Sequence, residues 1–103
     1  MRIAVTYYDG RILQDFDQTT WFKIYEVAKD QILATAVEEI CGYGQGVLTG
    51  FLQDQCVNGL ICGYIDREAK AALTIAGIAV YSNMRGDADK TVEDLLSNQK
   101  KKI

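Results

Sequence analysis

Four aspartates stand at positions where they could take part in chemistry: Asp9, Asp15, Asp17 and Asp66. Carboxylates that cluster at one edge of a sheet can hold two magnesium ions for phosphodiester hydrolysis. Each aspartate also has an ordinary structural role, as part of a turn, a solvated connection or a helix N-cap. A magnesium-dependent phosphodiester hydrolase is therefore one alternative function, and it is less favoured than a structural use of these residues.

The three cysteines are the other potential metal ligands, because the chain contains no histidine. Cys41, Cys56 and Cys62 are an odd number without CxxC spacing, which is typical of reduced thiols in a reducing compartment. Cys56 and Cys62 lie in apolar segments and are expected in the core. Cys41 lies beside a glycine in a loop and is the best candidate for a ligating thiol. We expect no metal ion bound to side chains.

The composition favours a single small domain that binds neither nucleic acid nor membrane. The chain has 103 residues, 49% of them hydrophobic, and 11 basic residues against 14 acidic ones. An acidic chain lacks the basic surface that supplies most nucleic-acid affinity. No apolar run approaches the roughly 20 residues of a membrane helix, so a cytoplasmic location is expected. We predict one domain over residues 1–97 and a polar, frayed tail over residues 98–103.

The apolar pattern changes from alternating to helical near residue 44. Strands are predicted over residues 2–8, 21–27, 32–37, 57–62 and 78–81. Helices are predicted over residues 47–56, after Asp66 and after Asp89, with these two aspartates as N-caps. The buried positions are predicted to include Val5, Ile24, Leu48, Leu52, Leu60, Ile61, Leu73 and Ile78.

This order of elements predicts an α/β fold, namely a five-stranded mixed sheet with three helices. An antiparallel meander of three strands is followed by β-α-β-α-β-α, and right-handed crossovers add the last two strands beside a central first strand. Ligands of such sheets bind outside the carboxyl ends of the parallel strands. That edge is predicted to comprise Tyr8, Asp9 and residues 63–67 and 82–89.

Several segments in this order are similar to one known family. They are residues 14–25 (QDFDQTTWFKIY), 42–46 (GYGQG), 60–63 (LICG), 76–78 (AGI) and 86–89 (GDAD). Together they resemble the dinitrogenase iron-molybdenum cofactor biosynthesis family over nearly the whole chain, from Arg2 to Leu96. The resemblance implies a ribonuclease-H-like fold and a non-catalytic carrier that binds an iron-sulfur or iron-molybdenum cofactor, or a precursor, during nitrogenase assembly.

The chain departs from the family where histidines are usual. Asp15-Phe16-Asp17 stands in place of His-Phe-Gly, and Gln18 and Gln45 occupy positions where similar sequences often have histidine. Carboxylate and amide groups are poor ligands for such clusters. Two interpretations stay open, a carrier without its usual histidine ligands and an interaction or regulatory module that has lost ligand binding.

The predicted cofactor-binding residues surround one crevice at the sheet edge. They are Asp15, Gln18, Cys41, Gln45, Gly63, Tyr64, Asp66 and Arg67. Such a surround is polar and should prefer a small anion, held by Arg67 and by backbone N–H groups after Gly63. Partners are expected to be a small anionic ligand or cluster, or another protein, and the oligomeric state stays open.

Overall fold

A computed structural model describes residues 1–42 and 44–101, with the backbone alone at residue 45 and over residues 98–101. These residues form six strands, three α-helices and a 3-10 helix. In chain order they are β1 (Arg2–Tyr8), β2 (Arg11–Ile12), the 3-10 helix (Phe16–Gln18), β3 (Trp21–Ala28), β4 (Gln31–Glu39), α1 (Gln45–Asp54), β5 (Gly59–Ile61), α2 (Arg67–Ile75), β6 (Ala79–Tyr81) and α3 (Ala88–Lys101).

The sheet is mixed, and its first strand is central, as predicted. The strand order is β4-β3-β1-β5-β6. β1 pairs antiparallel with β3 and parallel with β5, while β3 pairs antiparallel with β4 and β5 pairs parallel with β6. The carboxyl ends of β1, β4, β5 and β6 therefore lie at one edge of the sheet, which we call the carboxyl edge.

The prediction of five strands is wrong by one, because the chain turns back on β1 after residue 8. Asp9 and Gly10 have φ values of 49° and 83°, which suit a tight reversal. Ile12 then lies opposite Tyr7 in the two-residue strand β2. Asp-Gly is a strong turn signal, but the two residues of β2 are too few to give an alternating pattern in the sequence.

Two apolar cores lie on opposite faces of the sheet. One is covered by α1 and α2 and includes Leu48 and Leu73. The other is covered by α3 and includes Val5 and Val92. All eight positions predicted to be buried are buried.

The helix caps confirm one prediction and correct another. Asp66 caps α2 as predicted, since its Oδ1 accepts a hydrogen bond from the Ala69 N–H at 2.9 Å. The cap of α3 is Asp87 and not Asp89, because the helix begins at Ala88 and Asp87 Oδ1 accepts from the Lys90 N–H at 2.9 Å.

The last helix packs on the sheet through described side chains up to Leu96. Leu96 lies in the core, and the backbone of the helix continues to Lys101. The division of the chain into a domain ending at residue 97 and a frayed tail stays a prediction. Within residues 1–42 and 44–101, no helix has the length and apolar character needed to span a membrane.

Candidate functional site

The 3-10 helix and the segment after β5 meet at the carboxyl edge. Asp15 and Tyr64 form an isolated parallel bridge, in which the Phe16 N–H donates to the Tyr64 carbonyl at 3.0 Å. The Tyr64 N–H in turn donates to the Gln14 carbonyl at 2.6 Å. Asp15 therefore lies beside Tyr64, and Asp66 and Arg67 follow directly along the chain. We call residues 63–67 together with Asp15 the Gly63 segment.

Gly63 is required by close packing and not by an open space for a ligand. A Cβ atom at this position would lie 2.5 Å from the Gln14 carbonyl oxygen and 2.6 Å from the Gln14 Cα. Such distances are far below van der Waals contact, so any side chain would push the two segments apart. The backbone approach that the sequence pattern suggested for an anion is taken up by Gln14.

The carboxylates of the Gly63 segment also make structural hydrogen bonds. Asp15 Oδ1 accepts from the Asp17 N–H at 3.1 Å and caps the 3-10 helix. Asp66 caps α2. Arg67 is exposed and forms no ion pair with any residue that the structure describes. Of the charged groups predicted here, the Arg67 guanidinium remains available to a ligand.

The other predicted site residues lie further along the same edge. Gln18 lines a small cleft of about 70 Å³ with Gly42 and Gly44. Cys41 is exposed two residues after β4 ends. Gln45 begins α1, but its side chain and the whole of Tyr43 lie outside the described residues. The predicted residues thus share the carboxyl edge. There the structure places Asp15 against Tyr64, and Gln18 beside Gly42 and Gly44.

A larger groove opens at the carboxyl edge on the side of α3. It has a volume of about 820 Å³ and is lined by Tyr8, Asp9, Arg11, Ile12, Leu13, Gln14, Arg85 and Gly86. Arg11 and Arg85 are both exposed, and neither forms an ion pair with a described residue. We call this feature the arginine groove.

Backbone hydrogen bonds hold the two walls of the arginine groove together. The Ile12 N–H donates to the Gly86 carbonyl at 2.9 Å, and the Ala88 N–H donates to the Gly10 carbonyl at 3.0 Å. Gln14 Nε2 donates to the Met84 carbonyl at 3.1 Å. The β1–β2 hairpin and the loop before α3 are therefore fixed to each other. The backbones that carry Arg11 and Arg85 are therefore held in place by hydrogen bonds.

Sequence reasoning missed Arg11 and Arg85 as site residues. Arg11 directly follows the Asp9-Gly10 turn, and Arg85 lies in the loop over residues 82–89 that was assigned to the ligand-binding edge. Both arginines are therefore in, or within two residues of, segments that the sequence assigns to the ligand-binding edge. What the sequence could not provide was the pairing of the hairpin with that loop, which brings the arginines to one groove.

A polar cluster under α3 is self-contained. The Asp89 carboxylate accepts hydrogen bonds from Lys23 Nζ at 2.8 Å and from the Tyr25 hydroxyl at 2.6 Å. These bonds lower the pKa of Asp89, the one from Lys23 most. Burial, together with the bond to Asp89, raises the pKa of Tyr25. Lys23, Tyr25 and Asp89 thus satisfy one another, although the Asp89 side chain stays 57% exposed.

The thiols and carboxylates do not form a metal site within the described part of the chain. No group of three or more Cys, Asp or Glu side chains there could hold a metal ion. Cys62 is fully buried, and burial raises the pKa of its thiol to about 11. A thiolate ligand is therefore disfavoured at Cys62, which lies in the core as expected. Cys41 and Cys56 are exposed, so the expected core position is wrong for Cys56.

The fold is that of a small α/β domain with a mixed sheet. A family model described as dinitrogenase iron-molybdenum cofactor matches residues 1–98. The chain belongs to this family, as the resemblance in its sequence predicted.

Solved structures share the fold at low sequence identity. The crystal structure of PH0822 is 19% identical and superposes with a TM-score of 0.90, over 95% of this chain and 90% of that chain. The apo form of the orange protein from Desulfovibrio gigas is 24% identical with a TM-score of 0.80, over 95% and 88% of the two chains. A dinitrogenase candidate from Methanocaldococcus jannaschii is 19% identical with a TM-score of 0.76, over 95% and 89%. No curated protein matches the chain.

Proposed function

We propose that this protein is a non-catalytic carrier that binds an anionic metal cofactor, or a precursor of one, in the arginine groove. The observation that carries the proposal is the pair of guanidinium groups, Arg11 and Arg85, which line one groove without an ion-pair partner among the described residues. The family to which the chain belongs is described by an iron-molybdenum cofactor. An anionic cofactor and a groove lined by two arginines are complementary in charge.

The groove favours an anion that arrives with its own ligands. Each guanidinium offers planar, always-charged N–H donors, which suit oxygen and sulfur acceptors at the surface of an anion. Asp9 lines the same groove and opposes one of the two positive charges. The described residues contain no group of three or more side chains that could hold a metal ion, so the proposed contacts to the cargo are charge and hydrogen bonds from the arginines.

The Gly63 segment is a second place for an anion at the same edge, through Arg67. Its carboxylates and the Tyr64 N–H already take part in structural hydrogen bonds. Asp15 and Asp66 would also repel an anion there. We therefore favour the arginine groove over the Gly63 segment as the anion site.

An interaction module without a ligand is the second candidate function. The exposed tyrosines at the carboxyl edge favour it, since Tyr8 is 65% exposed and Tyr64 is 64% exposed. Tyrosine is enriched in protein interfaces, where its ring is buried and its hydroxyl stays hydrogen-bonded. The magnesium-dependent hydrolase is not favoured, because the described residues contain no group of three or more acidic side chains that could hold a metal ion.

The test uses protein prepared without oxygen and a small dianionic iron–sulfur cluster capped by mercaptoethanol thiolates. Binding is measured by equilibrium dialysis and visible absorbance. A hydrogen bond to a charged group contributes about 1.5–3 kcal/mol. Arg11→Ala and Arg85→Ala should therefore each weaken binding about tenfold or more, since about 1.4 kcal/mol corresponds to tenfold.

Arg67→Ala is the matched control, because Arg67 is also exposed and lies at the same edge. This variant leaves the arginine groove intact and should therefore bind the iron–sulfur cluster nearly as well as the wild type. Loss of binding in Arg67→Ala with normal binding in the other two variants would move the site to the Gly63 segment. No binding by the wild-type protein would favour the interaction module.

A further inference from the structure

Strand β4 forms a long, open edge of the sheet. It is nine residues in length and pairs with β3 on one side only. Leu33 is 65% exposed and Val37 is 44% exposed. An edge strand presents a row of unpaired backbone N–H and C=O groups, which is a template for pairing with another strand.

In the part of the chain that the structure describes, most of the usual protections of an edge strand are missing from β4. Monomeric proteins blunt such edges with lysine, proline, very short strands or a covering element. β4 contains neither lysine nor proline, and Glu38 and Glu39 at its end are its only charged residues. The opposite edge, β6, has three residues.

Packing and irregularity affect only the beginning of β4. Among the described residues α3 reaches this strand near its start, where Ile32 and Leu96 line a common cleft. The register with β3 shifts opposite Glu26 and Val27 and is regular from Ala34 to Glu39. The remaining length of the strand, from Leu33 to Glu39, is exposed on both faces.

We propose that β4 pairs antiparallel with β4 of a second copy of this chain, with Thr35 of each copy at the two-fold axis. Thr35 is the middle residue of the strand, so this register overlaps all nine residues. It places Leu33 opposite Val37 and Ala34 opposite Ala36. The two most exposed apolar side chains of the strand thereby cover each other across the dimer, and the sheet becomes continuous through both copies.

The charges of β4 select the antiparallel arrangement. With Thr35 at the axis, Glu38 lies opposite Ile32 and Glu39 lies opposite Gln31. The glutamates of the two copies then stand at opposite ends of the ladder. A parallel pairing in register would put glutamate against glutamate at two successive positions, which is destabilising.

The dimer does not depend on the proposed carrier function. None of the residues of β4 lines the arginine groove. Edge pairing alone buries less surface than a standard protein interface, so the dimer should be weak and should depend on concentration.

Sedimentation velocity over a concentration series tests the dimer. The wild-type sedimentation coefficient should rise from monomer towards dimer, while Thr35→Lys should stay monomeric because two lysines would face each other at the axis. Gln53→Lys adds the same charge at an exposed position of α1 and should behave like the wild type. Circular dichroism checks that each variant is folded. A wild-type chain that stays monomeric at the concentrations used for NMR would overturn the proposal, as would equal dimerisation of Thr35→Lys.

Oxidative cross-linking tests the register in a background with Cys41→Ser and Cys56→Ser, which removes the exposed thiols. Directly opposed residues have Cβ atoms about 4.5–5.5 Å apart, close to disulfide range. Thr35→Cys should therefore cross-link readily. Val37→Cys puts one cysteine in each copy, and these two cysteines would lie four residues apart along the strands. At 3.4 Å per residue this is about 14 Å, so Val37→Cys should not cross-link. Equal cross-linking of both variants, or of neither, would contradict the register.

Discussion

The Gly63 segment and the arginine groove lie at the same edge of the sheet and differ in how their polar groups are used. In the Gly63 segment, the Asp15 and Asp66 carboxylates cap helices and the Tyr64 N–H bonds to Gln14. In the arginine groove, backbone groups tie the walls together while the two guanidiniums have no ion-pair partner among the described residues.

This difference shows that a sequence motif and a free binding group need not coincide. Two of the segments on which the resemblance to the family rests, residues 14–25 and 60–63, contain Asp15, which caps the 3-10 helix, and Gly63, which packs against Gln14. The arginines that are available to an anion belong to no motif. The comparison predicts that changes in the Gly63 segment alter stability, whereas changes in the arginine groove alter binding.

The largest stability effect is expected at Phe16, which follows Asp15 of the Gly63 segment and whose N–H donates to the Tyr64 carbonyl of that segment. Phe16 is fully buried in the core beneath α1 and α2. Phe16→Ala should lower the free energy of unfolding by about 3–5 kcal/mol in urea denaturation. Tyr8→Ala, at an exposed position of the arginine groove, is the control and should change it by no more than about 0.5 kcal/mol. Similar losses in the two variants would remove the distinction between the regions.

A smaller loss is expected for Gly63→Ala. The added methyl group would lie 2.5 Å from the Gln14 carbonyl oxygen, so the two backbone segments must separate. Overpacking of this kind costs about 1–3 kcal/mol. The control is Gly59→Ala in the adjoining strand, where the nearest atom would be a Tyr81 ring carbon at an ordinary 3.4 Å. If thermal unfolding showed equal losses for both glycines, close packing would not explain Gly63.

The smallest effect concerns Asp89, in the self-contained cluster near the arginine groove. Because its pKa is lowered in the folded state, its contribution is present above the ordinary carboxyl pKa of about 3.9 and is lost as the pH falls through the lowered value. Its side chain is 57% exposed, so Asp89→Asn should cost less than about 1 kcal/mol at pH 7.

The pH dependence separates this effect from a general loss of stability. The difference between wild type and Asp89→Asn should shrink in denaturation experiments carried out progressively below about pH 4. Asp94→Asn, an exposed position of the same helix, should differ little from wild type at either pH. A pH-independent loss in Asp89→Asn would mean that the charge of Asp89 is not the cause.

Much of the fold could be predicted from the sequence because periodicity reports which face of each element is buried. The central position of β1, the cap at Asp66 and the eight buried positions were all accessible in this way. The errors have local causes. β2 is too short to show a pattern, and Asp87 and Asp89 are both acceptable caps until the first turn of α3 is placed against Lys23 and Tyr25.

The candidate site was less predictable, because it depends on contacts between segments distant in sequence. Residues 12 and 86 are joined by a backbone hydrogen bond, and this contact creates the arginine groove. Nothing in the local sequence of Arg11 or Arg85 indicates it. By contrast, the sequence suggested that backbone N–H groups after Gly63 hold an anion, whereas in the structure the Tyr64 N–H donates to the Gln14 carbonyl.

The central claim is that an anionic cargo binds in the arginine groove, and amide NMR tests it most directly. Isotope-labelled protein is titrated anaerobically with the thiolate-capped iron–sulfur cluster, and each backbone signal is followed. The amides of Arg11, Arg85 and Gly86 should shift or broaden first, while those of Tyr64 and Arg67 change little. Changes centred on Tyr64 and Arg67, or no changes at all, would contradict the claim.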